Sequence, residues 1–159
     1  MSKTKSSRQF WIQEPGQGEI LRRDLPSRQE HDVLVRTLFS GISRGTESLV
    51  FRGEVPPSQY VTMRAPFQEG TLPGPIKYGY SSVGEVVEQA DSSGANLEGK
   101  TVFCLYPHQD LYLVQGSAVT PLPRDLPPAR AVLAANMETA VNAVWDGAPS
   151  TGDRIVVIG

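Results

Sequence analysis

Between Gly53 and Tyr78 the chain carries Pro56, Pro57, Pro66, Pro73 and Pro75, with Gly70 and Gly74 among them. Proline fixes φ and has no amide N–H, so it breaks a helix interior and leaves a gap in the ladder of a central strand. The passage is therefore expected to be neither, and an irregular segment of this length inside a compact domain is commonly functional or mobile. Its flanks are short and rich in β-formers. Residues 9–12 and 18–21 bracket Glu14-Pro15-Gly16-Gln17, which predicts a hairpin. Residues 22–30 are charged, contain Leu25-Pro26, and read as a surface connection.

Residues 31–40 alternate, with Val33, Val35, Thr37 and Phe39 on one face and Leu34, Arg36 and Leu38 on the other. Period two in β-branched and aromatic residues predicts a strand, and apolar residues on both faces place it inside a barrel or sandwich wall. Residues 82–89 predict another strand, with Gly84 at a bulge or a close backbone approach. A turn is expected over 94–100, then strands over 101–106, 110–115 and 118–122. Short strands at regular spacing predict a β-barrel or sandwich.

The pattern changes after residue 124. Asp125 suits an N-cap, Pro127-Pro128 suits a first helical turn, and 129–135 favours helix. Met137, Ala140, Val141, Val144 and Trp145 then recur on one helical face, expected to pack in a core. A turn over 147–152 leads to Arg154-Ile155-Val156-Val157-Ile158 before Gly159. A β-branched run ending at glycine is how a parallel strand opens a dinucleotide fold, whose fingerprint is G-x-G-x-x-G. The chain thus divides into a mainly β domain over 1–124, and connecting helices plus the first strand of a truncated nucleotide-binding domain over 125–159.

Bulk properties narrow the function. A hydrophobic content of 39% with 20% charged residues is that of a globular chain. A net charge of −2 gives no electrostatic reason to expect nucleic acid or an anionic membrane as partner. No apolar run approaches the roughly 20 residues of a membrane span. Residues 1–7 are basic without the apolar segment of a signal peptide. Cys104 stands alone, which suits a reducing cytoplasm.

The most suggestive stretch is Phe39-Ser40-Gly41-Ile42-Ser43-Arg44-Gly45-Thr46-Glu47, a polar cluster between a strand and the short apolar run Leu49-Val50-Phe51. Polar loops held by rigid elements are where reactive groups tend to lie. Cys104 and His108 stand four apart at a strand end, where that spacing does not converge side chains, and two residues are too few for a metal. His31 lies in a charged turn and is expected to be solvated.

From Val33 to Gly159 the chain resembles the medium-chain dehydrogenase/reductase family. The anchors are Ser40-Gly41-Ile42-Ser43-Arg44, Phe51-Arg52-Gly53, the segment 79–84 with Val86-Val87, and the segment 152–159. Within the family, residues 40–47 and Asn136-Met137-Glu138-Thr139-Ala140 look most like the branch that includes bacteriochlorophyllide a dehydrogenase. The resemblance implies a GroES-like, partly open β-barrel holding the substrate site, followed by a Rossmann domain that brings NAD or NADP. It further implies hydride transfer to or from an alcohol, carbonyl or enone, in a cytoplasmic, homo-oligomeric full-length protein.

The departures from the family matter as much. Its zinc-binding cysteine position holds Ser43, or Arg44 if Gly45-Thr46-Glu47 is aligned instead. The histidine position holds Tyr80, in Gly79-Tyr80-Ser81, and the third ligand falls near Ala135 or Met137 with Glu138 beside it. The Cys-rich lobe for structural zinc has no counterpart. Zinc needs three protein ligands of Cys, His or carboxylate type, so no zinc is expected. Tyr80, Ser43, Thr46 and Ser81 become candidate hydrogen-bond donors to substrate. One such donor contributes about 3–4 kcal/mol, less than a metal supplies. Arg44 matches a position that meets the cofactor pyrophosphate, a role suited to a bidentate guanidinium. Thr139 matches one that touches the nicotinamide ring, and Gly159 is the first glycine of the fingerprint. Glu47 is expected to orient Arg44 or to cap the short helix. Without its nucleotide domain the 1–159 fragment is expected to be inactive. The alternative is a non-catalytic GroES-like module that binds a ligand or partner.

Overall fold

A computed structural model describes residues 5–90 and 96–158. Its strands are β1 (Ser6–Glu14), β2 (Gln17–Asp24), β3 (Asp32–Ser40), β4 (Glu69–Gly70), β5 (Ile76–Lys77), β6 (Ser82–Gln89), β7 (Thr101–Cys104), β8 (Leu111–Gln115) and β9 (Thr120–Pro121). Helices are few and short: α1 (Thr46–Arg52), α2 (Pro128–Ala131) and α3 (Ala134–Gly147). The strands form two antiparallel sheets, ordered β2-β1-β5-β4 and β8-β3-β6-β7-β9. The mainly β architecture follows the sequence pattern, and β1 and β2 make the expected hairpin around Pro15-Gly16.

β3 runs between β8 and β6. Val33, Leu34 and Val35 are buried in succession, which explains apolar residues on both faces. Past Arg36 the strand leaves the core, so Leu38 and Phe39 are exposed and Ser40 ends the strand at the surface. Opposite it, a side chain at Gly84 would sit 2.5 Å from Val35 Cγ1 and 2.6 Å from the Arg36 carbonyl oxygen. That close approach, with register shifts in the β3–β6 ladder, is the bulge the glycine predicts.

One core gathers Val33, Val35, Val86, Val102 and Tyr112; a second gathers Ile12, Val50, Leu72, Ile76 and Tyr78. The sheets meet where the segment after β7 runs beside β1: Gln9 bridges Gln109, Phe10 N donates to the His108 carbonyl (2.9 Å), and Asp110 N donates to the Arg8 carbonyl (3.1 Å). α1 seats Val50 in the second core and stops at Gly53, whose φ of 68° ends the helix in the left-handed conformation.

Several expectations need correction. The proline-rich passage does hold a central strand, the two-residue β5 between β1 and β4. Pro73 and Pro75 precede that strand rather than sit in it, so its ladder keeps its amides. The strands expected over 101–106 and 118–122 are shorter: β7 stops at Cys104, and Gly116–Ala118 is a 3-10 turn before β9. Asp125 caps no helix, because α2 starts from Pro127 without a side-chain cap. The apolar stripe of α3 is present but does not pack in a core: Met137, Val144 and Trp145 are exposed, Trp145 at 73%. Residues 154–158 form no strand, since no strand among the described residues pairs with them to complete a ladder, and Val157 is 90% exposed. Gly159 and residues 94 and 95 of the turn expected over 94–100 lie outside the described residues, and the described part turns at Glu98-Gly99. Among the described residues no helix is long and apolar enough to cross a membrane.

A candidate active site where the third strand ends

The loop after β3 lies beside the segment that carries His108. Ser40 Oγ is 2.5 Å from His108 Nδ1, and His108 Nε2 is 2.5 Å from Glu47 Oε2. Four pieces of chain build this cluster. β3 delivers Ser40, and the first turn of α1 delivers Glu47. β1 grips the His108 carbonyl through Phe10 N, and the Tyr78 carbonyl accepts from His108 N at 3.4 Å. Gly79 makes room for the ring: at φ 128° it lies where a Cβ would come within 2.9 Å of His108 Cδ2 and Nε2.

Backbone contacts fix the remaining geometry. Glu47 Oε1 accepts the Ser43 amide at 2.8 Å, and Glu47 N donates to the Ser43 carbonyl at 3.2 Å. The Ser81 carbonyl accepts Gly41 N at 2.8 Å and lies 3.3 Å from Ser40 Oγ. An ionised carboxylate only accepts, so Glu47 assigns a proton to His108 Nε2; in the neutral ring Nδ1 is then an acceptor for the Ser40 hydroxyl, whose one proton has the Ser81 carbonyl at 3.3 Å as its other, longer acceptor. The imidazole is 14% exposed and the Glu47 side chain 10%, so the pair is largely withdrawn from water.

The cluster borders a cavity of about 540 Å³. Phe10, Ile12, Ile42 and Phe51 give it apolar walls, while Ser40, Glu47 and His108 stand at one side with Ser48 and Arg52 nearby. Tyr78 also lines it, its hydroxyl donating to the Met63 carbonyl at 2.7 Å. Burial, then the neighbouring Tyr80 and Glu47, push the Tyr78 phenol up to about 12, so it stays a neutral donor. An apolar cavity with a few convergent polar groups is the usual form of a small-molecule site.

The residues singled out from sequence are placed unevenly. Ser43 holds Glu47 through its backbone. Thr46 opens α1, half-buried. Tyr80 packs edge-on against Tyr78 with ring centroids 6.3 Å apart. The Ser81 hydroxyl donates to the Val132 carbonyl at 3.1 Å. Arg44 is exposed, with no ion pair among the described residues. Thr139 is exposed on α3, its hydroxyl bonded to the Ala135 carbonyl at 3.3 Å. Sequence reasoning did not assemble Ser40 and His108, which lie 68 residues apart. Gly79 is the trace they leave in sequence, and Tyr106-Pro107-His108 gave no periodic signal to place the ring. Glu47 ties the loop to His108 rather than to Arg44.

The positions matching zinc ligands do not fit zinc: a serine or arginine, a tyrosine and a non-ligating residue cannot supply the donor set. Among the described residues no three His, Cys, Asp or Glu side chains converge on a point that could hold a metal. Cys104 is buried, its thiol directed at the Ala118 carbonyl (3.4 Å) and pushed up to about 12 by burial.

No protein-family model matches the sequence, and no curated protein matches it. Solved structures do. A short chain alcohol dehydrogenase from E. coli, in complex with NADH, superposes with a TM-score of 0.68 at 16% identity, covering 93% of this chain and 47% of that one. A quinone oxidoreductase from Coxiella burnetii gives 0.67 at 16% identity, over 94% and 47%. The quinone oxidoreductase from Thermus thermophilus, also solved with NADPH, gives 0.63 at 20% identity, over 92% and 43%. The chain therefore spans slightly under half the length of these oxidoreductases. Its fold is the GroES-like β fold found in the N-terminal portion of medium-chain dehydrogenase/reductase enzymes.

Proposed function

We propose that this chain is the substrate-binding part of an NAD(P)-dependent oxidoreductase that interconverts a small alcohol and carbonyl, or reduces an enone or quinone, without zinc. The observation that carries this reading is the apolar cavity bearing Ser40, His108 and Glu47, on a fold shared with oxidoreductases solved with NADH and NADPH. Residues 1–124 form the substrate domain and 125–159 the start of the cofactor-binding part. Arg44, exposed beside the cavity loop, is available to a diphosphate, and Thr139 is the proposed nicotinamide contact. A bound nicotinamide supplies or accepts the hydride; this chain supplies the substrate pocket and the proton chemistry. Tyr80, Thr46, Ser43 and Ser81 remain candidate donors from the neighbouring loops, although none of the four lines the cavity. The nearer likeness to the bacteriochlorophyllide a dehydrogenase branch rests on residues 40–47 and 136–140 and belongs to this proposal.

The test uses the complete reading frame. Purified protein should oxidise or reduce one nicotinamide cofactor with a panel of alcohols, aldehydes, enones and quinones, and should contain no stoichiometric zinc. Residues 1–159 alone should not turn over, because the hydride donor is held elsewhere. Silence of the complete protein toward the whole panel would overturn the assignment.

A further inference from the structure

We infer that Glu47, His108 and Ser40 form a proton relay whose end, Ser40 Oγ, is the catalytic group exchanging a proton with the hydroxyl or carbonyl oxygen of an apolar substrate. The inference rests on the oxidoreductase reading above and assigns its proton path. Distance and polarity carry it. Two 2.5 Å contacts link the three side chains in series, and the carboxylate at the inner end takes the Nε2 proton, so that Nδ1 of the neutral ring is the acceptor facing Ser40. Glu47 cannot swing away, since its second oxygen holds the Ser43 amide. His108 is pinned by its own backbone and by the close approach of Gly79. All three residues border the cavity, but Ser40 is the exposed member while His108 and Glu47 are largely withdrawn from water, and the Ser81 hydroxyl is committed to the Val132 carbonyl.

In the oxidising direction the substrate O–H proton passes to Ser40 Oγ while the Ser40 proton passes to His108 Nδ1. A bound oxidised nicotinamide would take the substrate hydride, so that loss of the C–H and O–H hydrogens together turns the C–O single bond into C=O. The Glu47 carboxylate offsets the imidazolium charge so formed. Reduction runs the same steps backward, beginning from the imidazolium. The apolar walls select the substrate class: a hydrophobic alcohol or carbonyl whose oxygen is the one polar atom to be met. Besides Glu47, the ionisable groups facing the cluster are Arg52 and Tyr78 across the cavity. Asp110, two residues on, is held by Arg8 at 2.7 Å, and Lys77 is held by Glu69 and Gln109.

Two measurements decide it. Imidazole nitrogen NMR of the full chain, assigned against His108→Gln, should find neutral His108 protonated at Nε2; protonation at Nδ1 would overturn the relay. In the complete enzyme, Ser40→Ala should lower kcat by about 100-fold or more with KM within about threefold, as loss of a proton-transfer group does. A Ser40→Ala enzyme that stays folded by circular dichroism and keeps kcat within about threefold would refute Ser40 as the proton-exchanging group. Wild-type enzyme inactive toward every alcohol and carbonyl would overturn the oxidoreductase reading, and the relay with it.

Discussion

His108 and Gln109 are adjacent in sequence yet serve two polar clusters of opposite design. His108 faces outward into the chain that ends at Ser40 on the cavity wall. Gln109 faces inward, where its Oε1 accepts from Lys77 Nζ at 2.6 Å and its Nε2 donates to the Leu111 carbonyl at 2.6 Å. Lys77 Nζ also meets Glu69 at 2.5 Å and lies 5.8 Å from the centre of the Tyr106 ring. The lysine side chain is 1% exposed. Burial lowers its pKa, with the Glu69 hydrogen bond and charge acting in the opposite direction. A buried ion is tolerated only when its partners are in place, and here Glu69 and Gln109 occupy the ammonium while only Glu69 reaches water. The outer cluster borders a cavity, with Ser40 its exposed member. The inner one holds sheets together; the outer one leaves a proton available.

Breaking the inner cluster should have the largest effect. Glu69→Ala removes the counter-charge of a buried ammonium and should cost about 3 kcal/mol, the low end for a broken buried pair, because Glu69 itself is half exposed at 53%. The urea midpoint reads this, and a loss below about 0.5 kcal/mol would show that water reaches Lys77 and that the clusters do not differ. Lys77→Met should be milder. It removes charge and desolvation together, so stability at neutral pH should lie within about 1 kcal/mol of the parent. The comparison also has a pH signature. Because the folded-state pKa of Lys77 is lowered, the unfolded chain binds more protons between that value and 10.5, so the parent gains stability as pH rises through this window. Lys77→Met has no such term and should lose ground relative to the parent as pH approaches 10.5. Parallel melts across that range with no change in the difference would refute it.

The contrast also explains which parts were legible in sequence. β1, β2, β3 and β6 were readable because local alternation and turn residues agree with their burial, and Gly84 marked its own bulge. The helical stripe of α3 was readable as a helix but not in its burial, since periodicity says which face is apolar and nothing of what covers it. Residues 154–158 show the same limit for a strand, which needs a neighbour as well as β-branched residues. The loop 39–47 was readable as a polar cluster between a strand and a short helix. Its partner was not, because His108 arrives by the pairing of residues 108–110 with β1, a contact between segments about 100 positions apart with no local signal.

The smallest expected change in stability sharpens the contrast most. Ser40→Ala deletes a hydroxyl that makes a 2.5 Å contact, shorter than most hydrogen bonds in the chain. Contact length alone would rank it beside the Glu69–Lys77 pair, also at 2.5 Å. Environment ranks it far lower. His108 Nδ1 would lose a protein donor but face a cavity of about 540 Å³, roomy enough for water to replace it. No polar group would be left both buried and unpaired, which is the condition that makes such deletions costly. The variant should therefore unfold within about 0.5 kcal/mol of the parent in a denaturant melt. A loss above about 1.5 kcal/mol would mean that the serine hydroxyl is structural, as Glu69 is, and that the outer cluster is closed like the inner one.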